Sequence, residues 1–236
     1  MAIYKNIQKD NRQLAVLIDP DKFSVEKTAG FIKKVNTSIA THIFVGGSIV
    51  DDFITDVLVE EIKKHTLLPI ILFPGDVTQI TKKADAILFL SLISGRNPAY
   101  LIGKHVKAVS KLRDTNLEII PTGYILIESG KDTAVQQVTE TQPMPENDIQ
   151  NIVNTAKAGE LLGMKLIYLE AGSGARFPVS EPIISKVKKE IGIPLLVGGG
   201  IRTLEQLENA YQWGADLVVI GTAFEEDELF FEALKK

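Results

Sequence analysis

Three stretches in the C-terminal half decide the fold: Tyr168-Leu-Glu-Ala-Gly-Ser-Gly174, Leu195-Leu-Val-Gly-Gly-Gly200 and Leu217-Val-Val-Ile-Gly-Thr222. Each is a short apolar run that ends in glycine just before a segment with a helical pattern. Glycine lets backbone N–H groups approach an anion closely, and the N-terminus of the following helix adds positive partial charge. Three such endings in series predict a phosphate group held by the last strand–helix loops of a (β/α)8 barrel.

The rest of the chain contains further apolar runs that fit the same barrel. Most are short and continuously apolar, which is the pattern of parallel strands covered on both faces. Amphipathic segments at 25–38 and 149–162 predict helices between the strands, with Ser24 and Asp148 as N-caps. The eight predicted strands are 14–18, 42–45, 69–72, 86–90, 117–120, 166–169, 194–197 and 217–220.

The third helix of this barrel is predicted to be abnormal. Only residues 76–83 separate the third and fourth predicted strands, which is about two turns of helix. The 236 residues are close to the roughly 250 typical of such a barrel, and no linker divides them. We therefore predict an α/β fold, a single-domain (β/α)8 TIM barrel over residues 1–236 whose third helix is short or displaced. Irregular segments at 91–104 and 121–146 follow strands four and five, on the face where substrates bind.

Composition excludes several classes of protein. The net charge is −4 and no basic block stands out, which argues against nucleic-acid binding. Because the chain has no cysteine, disulfides, thiolate catalysis and cysteine-ligated metals are excluded. Residues 1–12 lack the apolar core of a signal peptide, and no apolar run reaches the roughly 20 residues of a membrane span. We expect a cytoplasmic protein that acts on small molecules, and transient contact with a membrane surface stays open.

The first two strands end in polar side chains. The first ends in Leu17-Ile-Asp-Pro-Asp-Lys22, which places Asp19 and Asp21 at the mouth of the barrel. Carboxylates there can hold Mg²⁺ or act as general bases, although Asp-Pro-Asp is also common turn chemistry. The second ends in Phe44-Val-Gly-Gly-Ser48, where Ser48 is either a ligand for a metal or phosphate or the N-cap of the next helix.

Glu170 is the carboxylate that the pattern favours most for chemistry, because it stands beside two glycines at a strand end. The alternative is an ion pair across the barrel mouth, with Lys22 or Arg176 as its partner. The strongest single signal is the set of glycines after strands seven and eight, where many barrels hold phosphate. The three histidines lack the spacing of metal ligands, so we predict that they are structural or lie on the surface.

Taken together, these motifs resemble the geranylgeranylglyceryl phosphate synthase family, which includes the heptaprenylglyceryl phosphate synthases. The resemblance covers nearly the whole chain in order, and residues 91–103 and 121–127 resemble the archaeal-type branch rather than the heptaprenyl branch. It implies a modified TIM barrel that joins sn-glycerol 1-phosphate to a prenyl diphosphate with Mg²⁺, giving an ether-lipid precursor. It also implies a homo-oligomer, dimer or hexamer. The motifs that carry it are Leu-Ile-Asp-Pro-Asp-Lys, Val-Gly-Gly-Ser, Tyr-Leu-Glu-Ala-Gly-Ser-Gly, Val-Gly-Gly-Gly-Ile and Gly-Thr-Ala.

The resemblance also implies roles for individual residues. Asp19 and Ser48 match the Mg²⁺ ligands, and Glu170 is the candidate base for the C3 hydroxyl of the glycerol. Lys22 and Arg96 are expected as additional contacts to the diphosphate. The residues expected to bind sn-glycerol 1-phosphate are Tyr168, Leu169, Glu170, Ala171, Gly172, Ser173, Gly174, Gly199, Gly200, Gly221 and Thr222.

A prenyl tail needs a long apolar groove, because burying each CH₂ group gives about 0.8 kcal/mol. We expect the loops after strands three to five to line it with Phe73, Leu92, Tyr100 and Tyr124. Tyr100 is bulky enough to limit the length of the tail, and ordinary helix packing is the alternative for this residue. The length itself is not readable from the residues, and geranylgeranyl is what the resemblance implies.

Two other functions fit part of the pattern. A phosphate-binding barrel isomerase that acts on a soluble sugar phosphate would share the glycines of strands seven and eight, but would need neither an apolar groove nor Mg²⁺ at strand one. A non-catalytic barrel that senses a phosphorylated metabolite would bind its ligand without Asp19 and Glu170.

Overall fold

The computed structural model describes residues 3–47, 53–226 and 230–235. These residues form a closed barrel of parallel strands in the order β1 to β8, with β8 pairing back onto β1. Helices lie between most of the strands, so the predicted (β/α)8 TIM barrel is confirmed. The strands are β1 Gln13–Ile18, β2 His42–Val45, β3 Ile70–Leu72, β4 Ala86–Leu92, β5 Glu118–Leu126, β6 Leu166–Glu170, β7 Leu195–Gly198 and β8 Leu217–Ile220.

Side chains alternate along each strand between the barrel interior and the layer under the helices. On β2, Phe44 faces the interior, while Ile43 and Val45 pack under the helices. On β6, Tyr168 faces the interior and Leu169 faces the helices. All five side chains are buried. Burial on both faces is the reason why the strands are continuously apolar in sequence.

An N-terminal helix closes the bottom of the barrel. Ile3 and Ile7 are buried against the interior cluster, and the Glu118 carboxylate accepts hydrogen bonds from the backbone N–H groups of Ile3 (2.5 Å) and Tyr4 (3.0 Å). Because Glu118 begins β5, this helix lies opposite the end where the strands finish. No helix among the described residues is long and apolar enough to cross a membrane. The helices are α1 Ile3–Lys9, α2 Thr28–Thr37, α3 Ile54–Lys63, α4 Lys104–Leu112, α5 Ala134–Thr139, α6 Ile149–Leu161, α7 Glu181–Glu190, α8 Leu204–Trp213, α9 Thr222–Glu226 and α10 Phe230–Ala233.

The connection between β3 and β4 differs from the others. Residues 73–85, all of which the structure describes, contain no α-helix but a single turn of 3₁₀ helix, Val77–Gln79. The prediction that the third helix is short or displaced is therefore confirmed. Because one turn is too short to cover β3 and β4, a gap stays open between this connection and α4. A π-helical segment, Ala99–Gly103, leads directly into α4.

Two strands are longer than predicted. β4 continues to Leu92 and β5 to Leu126, instead of ending at residues 90 and 120. Pro121 does not end β5, because its carbonyl still accepts a hydrogen bond from the Lys165 N–H (2.8 Å). The irregular segments after these strands are correspondingly shorter than predicted, and Tyr124 becomes part of the barrel interior.

Of the two predicted N-caps, Asp148 is confirmed in position, whereas Ser24 is not the N-cap of α2. Ser24 precedes a 3₁₀ turn, Val25–Lys27, and its hydroxyl bonds to the Glu26 carboxylate, so α2 begins only at Thr28. Asp148 occupies the N-cap position of α6, but its side chain makes no capping hydrogen bond. Both residues are of a type that commonly caps helices, but neither side chain accepts the backbone hydrogen bond by which a cap stabilises a helix.

Candidate active site

A cavity opens where the strands end and continues sideways between β3, β4 and α4. At the barrel mouth it is lined by strand-end residues such as Asp19 and Glu170. The sideways part, which we call the groove, is lined mainly by apolar side chains: Val77, Ile80, Ile87, Phe89 and Ala108. The groove exists because no helix covers β3 and β4 at this point.

Two glycines after β7 let the chain pass directly over Glu170. Gly199 and Gly200 have φ angles of 85° and 73°, which residues other than glycine rarely adopt. A Cβ on Gly199 would lie 2.6 Å from Glu170 Oε1, and one on Gly200 would lie 2.7 Å from the Phe177 backbone. Ser173 adds a hydroxyl to the same end of the cavity. This end therefore has the compact backbone and hydroxyl lining that suits a phosphate group.

Arg202 lies at the same end and was missed by the sequence reasoning. Its Nη1 donates to the carbonyls of Ala175 (2.8 Å) and Gly200 (3.4 Å), which ties the loop after β6 to the loop after β7. The side chain also lines the cavity, so it brings a positive charge to the end that suits a phosphate group. The signal in the sequence was its place two residues after the triple glycine.

The Glu170 carboxylate is buried at the centre of the mouth, with 5% of the residue exposed. Its Oε1 accepts a hydrogen bond from the Gly172 N–H (2.6 Å), and the neighbouring hydroxyls of Tyr168 and Tyr124 also favour its charged form, which lowers its pKa. Burial raises the pKa of Glu170 above the ordinary carboxyl value, and these three groups offset only part of the rise. A carboxylate with a raised pKa is a stronger base than an exposed one, which suits proton abstraction.

Aromatic rings form the floor beneath Glu170. The ring of Phe73 lies 5.3 Å from that of Tyr168 and 5.9 Å from that of Tyr124, and the two tyrosine rings are 5.3 Å apart (centroid distances). Burial and the neighbouring Glu170 raise the pKa of both tyrosines well above the ordinary phenol value. Both hydroxyls therefore stay protonated beside the carboxylate. Gly198 makes room for this floor, because a Cβ there would lie 2.2 Å from the Tyr168 hydroxyl.

Asp19 lies at the opposite side of the mouth, just after β1. Its Oδ1 accepts from the Asp21 N–H (3.2 Å), and its Oδ2 lies 3.3 Å from Lys22 Nζ. The turn chemistry foreseen for Asp-Pro-Asp is thus present, and the carboxylate lines the cavity as well. Ser48, the second predicted metal ligand, lies outside the described residues.

The donors present fit a magnesium ion. Within residues 3–47, 53–226 and 230–235, no group of three or more His, Cys, Asp or Glu side chains gathers as a metal site. Magnesium is held by one or two carboxylates together with substrate phosphates and water, so a single carboxylate such as Asp19 suffices as the protein's charged ligand. A Cβ on Gly47 would lie 2.3 Å from Asp19 Oδ1, so the absence of a side chain there is what admits the carboxylate.

Polar contacts border the apolar groove. Tyr100 donates its hydroxyl to the Val138 carbonyl (3.0 Å), and Lys104 Nζ lies 4.2 Å from the centre of the Tyr100 ring. Lys104 also pairs with Asp76 (2.5 Å) across the groove. His105, predicted to be structural, packs its ring edge-on against Phe89 and lines the groove, and burial lowers its pKa.

Most of the predicted site residues line this cavity. Those that do are Asp19, Lys22, Phe73, Leu92, Tyr100, Tyr124, Tyr168, Glu170, Ser173, Gly199, Gly200, Gly221 and Thr222. Four residues of the 168–174 motif do not. Leu169 and Ala171 point into the layer under the helices, the Gly172 N–H is occupied by Glu170, and Gly174 lies beside Lys131.

Arg96 does not line this cavity, and its contact to the diphosphate stays a prediction. Its guanidinium donates to the carbonyls of Ile93 (3.3 Å) and Gly95 (2.6 Å) of its own loop. It lines a separate surface depression together with Asn97 and Glu140. The loop folds back on itself, so the charge that the sequence placed near strand four does not reach the mouth.

The fold and the site define the class of this protein: it is a (β/α)8-barrel enzyme whose cavity joins a glycine-lined mouth to an apolar groove. Residues 6–236 match the model of the PcrB family. The chain belongs to the PcrB family.

Named relatives agree with the resemblance seen in the sequence. The chain is 57% identical over 227 residues to a geranylgeranylglyceryl phosphate synthase of Zunongwangia profunda, covering 96% of this chain and 97% of that protein. It is 42% identical over 236 residues to the Pyrococcus furiosus protein of the same name, covering 99% and 92%. Its fold matches (S)-3-O-geranylgeranylglyceryl phosphate synthase from Thermoplasma acidophilum in complex with sn-glycerol-1-phosphate (TM-score 0.93, 34% identity, 99% of this chain and 96% of that chain). The expected family, including archaeal members, is therefore confirmed.

Proposed function

We propose that this protein is a Mg²⁺-dependent prenyltransferase that joins a geranylgeranyl or similar prenyl group to the C3 hydroxyl of sn-glycerol 1-phosphate. The observation that carries the proposal is the shape of the cavity. A glycine-lined end suited to a phosphate and an apolar groove suited to a hydrocarbon tail meet at two acidic residues, Asp19 and Glu170. The names of the relatives and the substrate bound to the Thermoplasma acidophilum protein support the same reaction.

The glycerol phosphate is proposed to bind at the mouth beside β6, β7 and β8. Its phosphate group fits over Gly199, Gly200 and Gly221, with the hydroxyls of Ser173 and Thr222 as further donors, 3.4 Å from each other. The Arg202 side chain adds a positive charge at this end. Binding there directs the glycerol hydroxyls towards the interior, where Glu170 stands.

Glu170 is the base that we propose for the reaction. It takes the proton of the C3 hydroxyl while that oxygen bonds to C1 of the prenyl group. The bond between C1 and the diphosphate oxygen breaks, and its electron pair leaves with the diphosphate. The Gly172 N–H holds the carboxylate in place for this step, because it donates to Oε1, and the two tyrosine hydroxyls favour the charged form of the base.

Asp19 and Ser48 are the residues proposed to hold the metal. Mg²⁺, when bound, supplies positive charge that stabilises the departing diphosphate. Lys22 adds a second positive charge at the same side, since its ammonium group lines the cavity beside Asp19. The diphosphate is thereby held at one side of the mouth, and the glycerol phosphate at the other.

The groove is proposed to bind the prenyl tail. Its side chains Val77, Ile80, Ile87, Phe89 and Ala108 are apolar, and each buried CH₂ of the tail contributes about 0.8 kcal/mol. A soluble sugar phosphate has no hydrocarbon part to fill such a groove, so the isomerase alternative leaves it unexplained. Tyr100 lies along the same wall and is our candidate for the residue that limits the tail length.

The experiment that tests this function is a transfer assay with radiolabelled sn-glycerol 1-phosphate, a ladder of prenyl diphosphates, and either Mg²⁺ or EDTA. We expect label in the organic phase only with metal, and a preference for one tail length. Label that stays in the aqueous phase with every tail, despite measurable binding of glycerol phosphate, would favour the isomerase or the sensor instead.

A further inference from the structure

A buried amide side chain extends the barrel sheet beyond the end of β2. Gln79 is 1% exposed, and it belongs to the 3₁₀ turn between β3 and β4. Its Oε1 accepts from the Gly47 N–H (3.2 Å), and its Nε2 donates to the Gly47 carbonyl (2.7 Å). One side-chain amide thus pairs with both backbone groups of one residue, as a neighbouring strand would. The ladder between β2 and β3 ends with Val45 and Leu72, so this amide takes the place of the missing strand neighbour.

Gly47, to which Gln79 hydrogen-bonds, lies directly against Asp19. A Cβ on Gly47 would lie 2.3 Å from Asp19 Oδ1, so the Gly47 backbone forms a wall of the carboxylate's pocket. A second bond, from the Gly75 N–H to Gln79 Oε1 (3.4 Å), ties the same amide to the start of the connection. Any shift of Gly47 therefore changes the space in which the Asp19 carboxylate sits.

The turn that carries Gln79 is itself fixed on its outer side. Asp76 caps it by accepting from the Thr78 N–H (3.3 Å), and the same carboxylate binds Lys104 of α4 (2.5 Å). The turn is thus anchored to α4 on one side and to the loop after β2 on the other. A hydrogen-bonded amide fixed at both sides holds its partner in one position, because moving it would leave buried polar groups unpaired.

We propose that Gln79 is a positioning residue for the metal and diphosphate end of the site. It holds Gly47 in place and thereby fixes the orientation of the Asp19 carboxylate. This inference rests on the proposed function, in which Asp19 is a metal ligand. Partners that orient metal ligands from outside the coordination sphere affect metal affinity strongly, which is what the proposal attributes to Gln79.

The test measures Mn²⁺ binding by electron paramagnetic resonance in the presence of inorganic pyrophosphate, with the wild-type protein and the variants Gln79→Met, Gly47→Ala and Thr81→Val. Gly47→Ala places a methyl group 2.3 Å from Asp19 Oδ1, so it is the positive control for a displaced carboxylate. Gln79→Asn, whose amide is one methylene shorter and cannot make both bonds to Gly47, serves if Gln79→Met does not fold. Thr81→Val is the matched control. Thr81 is buried in the same connection, but it donates to Asp56 (2.5 Å) and lies away from the cavity.

We expect Gln79→Met and Gly47→Ala to weaken Mn²⁺ binding by about tenfold, the scale for outer partners of metal ligands. Binding of sn-glycerol 1-phosphate, measured by calorimetry, should be unchanged. Thr81→Val should lower the melting temperature without changing Mn²⁺ affinity. If Gln79→Met, or Gln79→Asn in its place, binds Mn²⁺ as Thr81→Val does, Gln79 is merely structural and the inference is overturned. If the wild type binds no Mn²⁺ with pyrophosphate, the metal site of the proposed function fails, and this inference with it.

Discussion

The backbone N–H of Gly172 lies 2.6 Å from the Glu170 carboxylate, so the loop after β6 turns back to hold the acid that ends β6. Gly172 has a φ angle of 100°, which residues other than glycine rarely adopt. A Cβ at this position would also lie 2.2 Å from the Thr133 side chain. Gly172, two residues after the proposed base, therefore serves the carboxylate directly through its N–H.

Glu170→Gln is expected to reduce turnover by about 10²–10⁴-fold, the usual contribution of a general base. The amide keeps the shape of the side chain and can still accept from Gly172, but it cannot take a proton. Binding of sn-glycerol 1-phosphate should weaken much less than turnover. Single-turnover kinetics and calorimetry on the same preparation measure the two effects, and turnover near the wild-type rate would remove Glu170 from the role of base.

The same substitution is expected to stabilise the protein at neutral pH. Because burial raises the folded-state pKa of Glu170, the folded protein favours its protonated form. The contribution of Glu170 to stability is therefore most favourable below the ordinary carboxyl pKa, and it is lost as the pH rises towards the raised pKa. Because glutamine does not ionise, Glu170→Gln avoids this loss of stability at neutral pH. Urea denaturation at several pH values should show its stability, relative to wild type, increasing from acidic to neutral pH, whereas a constant difference would contradict the raised pKa.

Tyr124→Phe is expected to shift the acidic limb of the kcat/KM profile to higher pH. The Tyr124 hydroxyl stabilises the charged form of Glu170, so its removal raises the pKa of the carboxyl further. The base is then protonated over a wider range of acidic pH, and activity is lost earlier as the pH falls. Tyr211→Phe is the matched control, because that hydroxyl is also buried but donates to the Gln13 carbonyl (2.8 Å). A profile of Tyr124→Phe that overlays on the control would contradict the proposed coupling.

Much of the barrel was predictable because its strands are buried on both faces. The runs around Val16, Ile43 and Val197 are apolar at nearly every position, and their order along the chain is enough to give the topology. The short gap before Ala86 likewise showed the missing helix. The ends of β4 and β5 were not predictable, because Ser91 interrupts the apolar pattern in β4, and Pro121 and Thr122 interrupt it in β5, although all three lie within the ladder.

The site was predictable where a motif fixes the backbone, and less so where a loop decides the direction of a side chain. Glu170 and Asp19 line the mouth because one ends β6 and the other follows β1, and the ends of these strands must meet there. Arg96 turns away because its own loop offers carbonyl acceptors that are closer. Gln79 gave no signal, since its role depends on a contact with Gly47, 32 positions away in sequence.

Gly199→Ala is expected to lose most of the affinity for sn-glycerol 1-phosphate. The new methyl group would lie 2.6 Å from Glu170 Oε1, and the alanine backbone would have to keep a φ angle of 85°. Gly163→Ala separates these two effects, because Gly163 has a φ angle of 96° but no atom within 4 Å of the added Cβ. Both variants should lose about 1–2 kcal/mol of stability through backbone strain. Only Gly199→Ala should lose binding in calorimetry, and equal affinities in the two variants would show that this glycine is needed only for the turn.

Tyr100→Ala is expected to move the preference of the enzyme towards longer prenyl diphosphates. The Tyr100 ring lines the groove, and its hydroxyl is fixed by the Val138 carbonyl (3.0 Å), so the ring can act as a wall for the end of the tail. Removing the ring extends the apolar space, and each further CH₂ that becomes buried adds about 0.8 kcal/mol to binding of the longer substrate. Tyr100→Phe keeps the ring and loses only the hydroxyl, so it should retain the wild-type preference. Competition between tails of different length in the transfer assay measures the shift directly. An unchanged preference in Tyr100→Ala would assign this residue to helix packing, because a wall cannot be removed without admitting a longer chain.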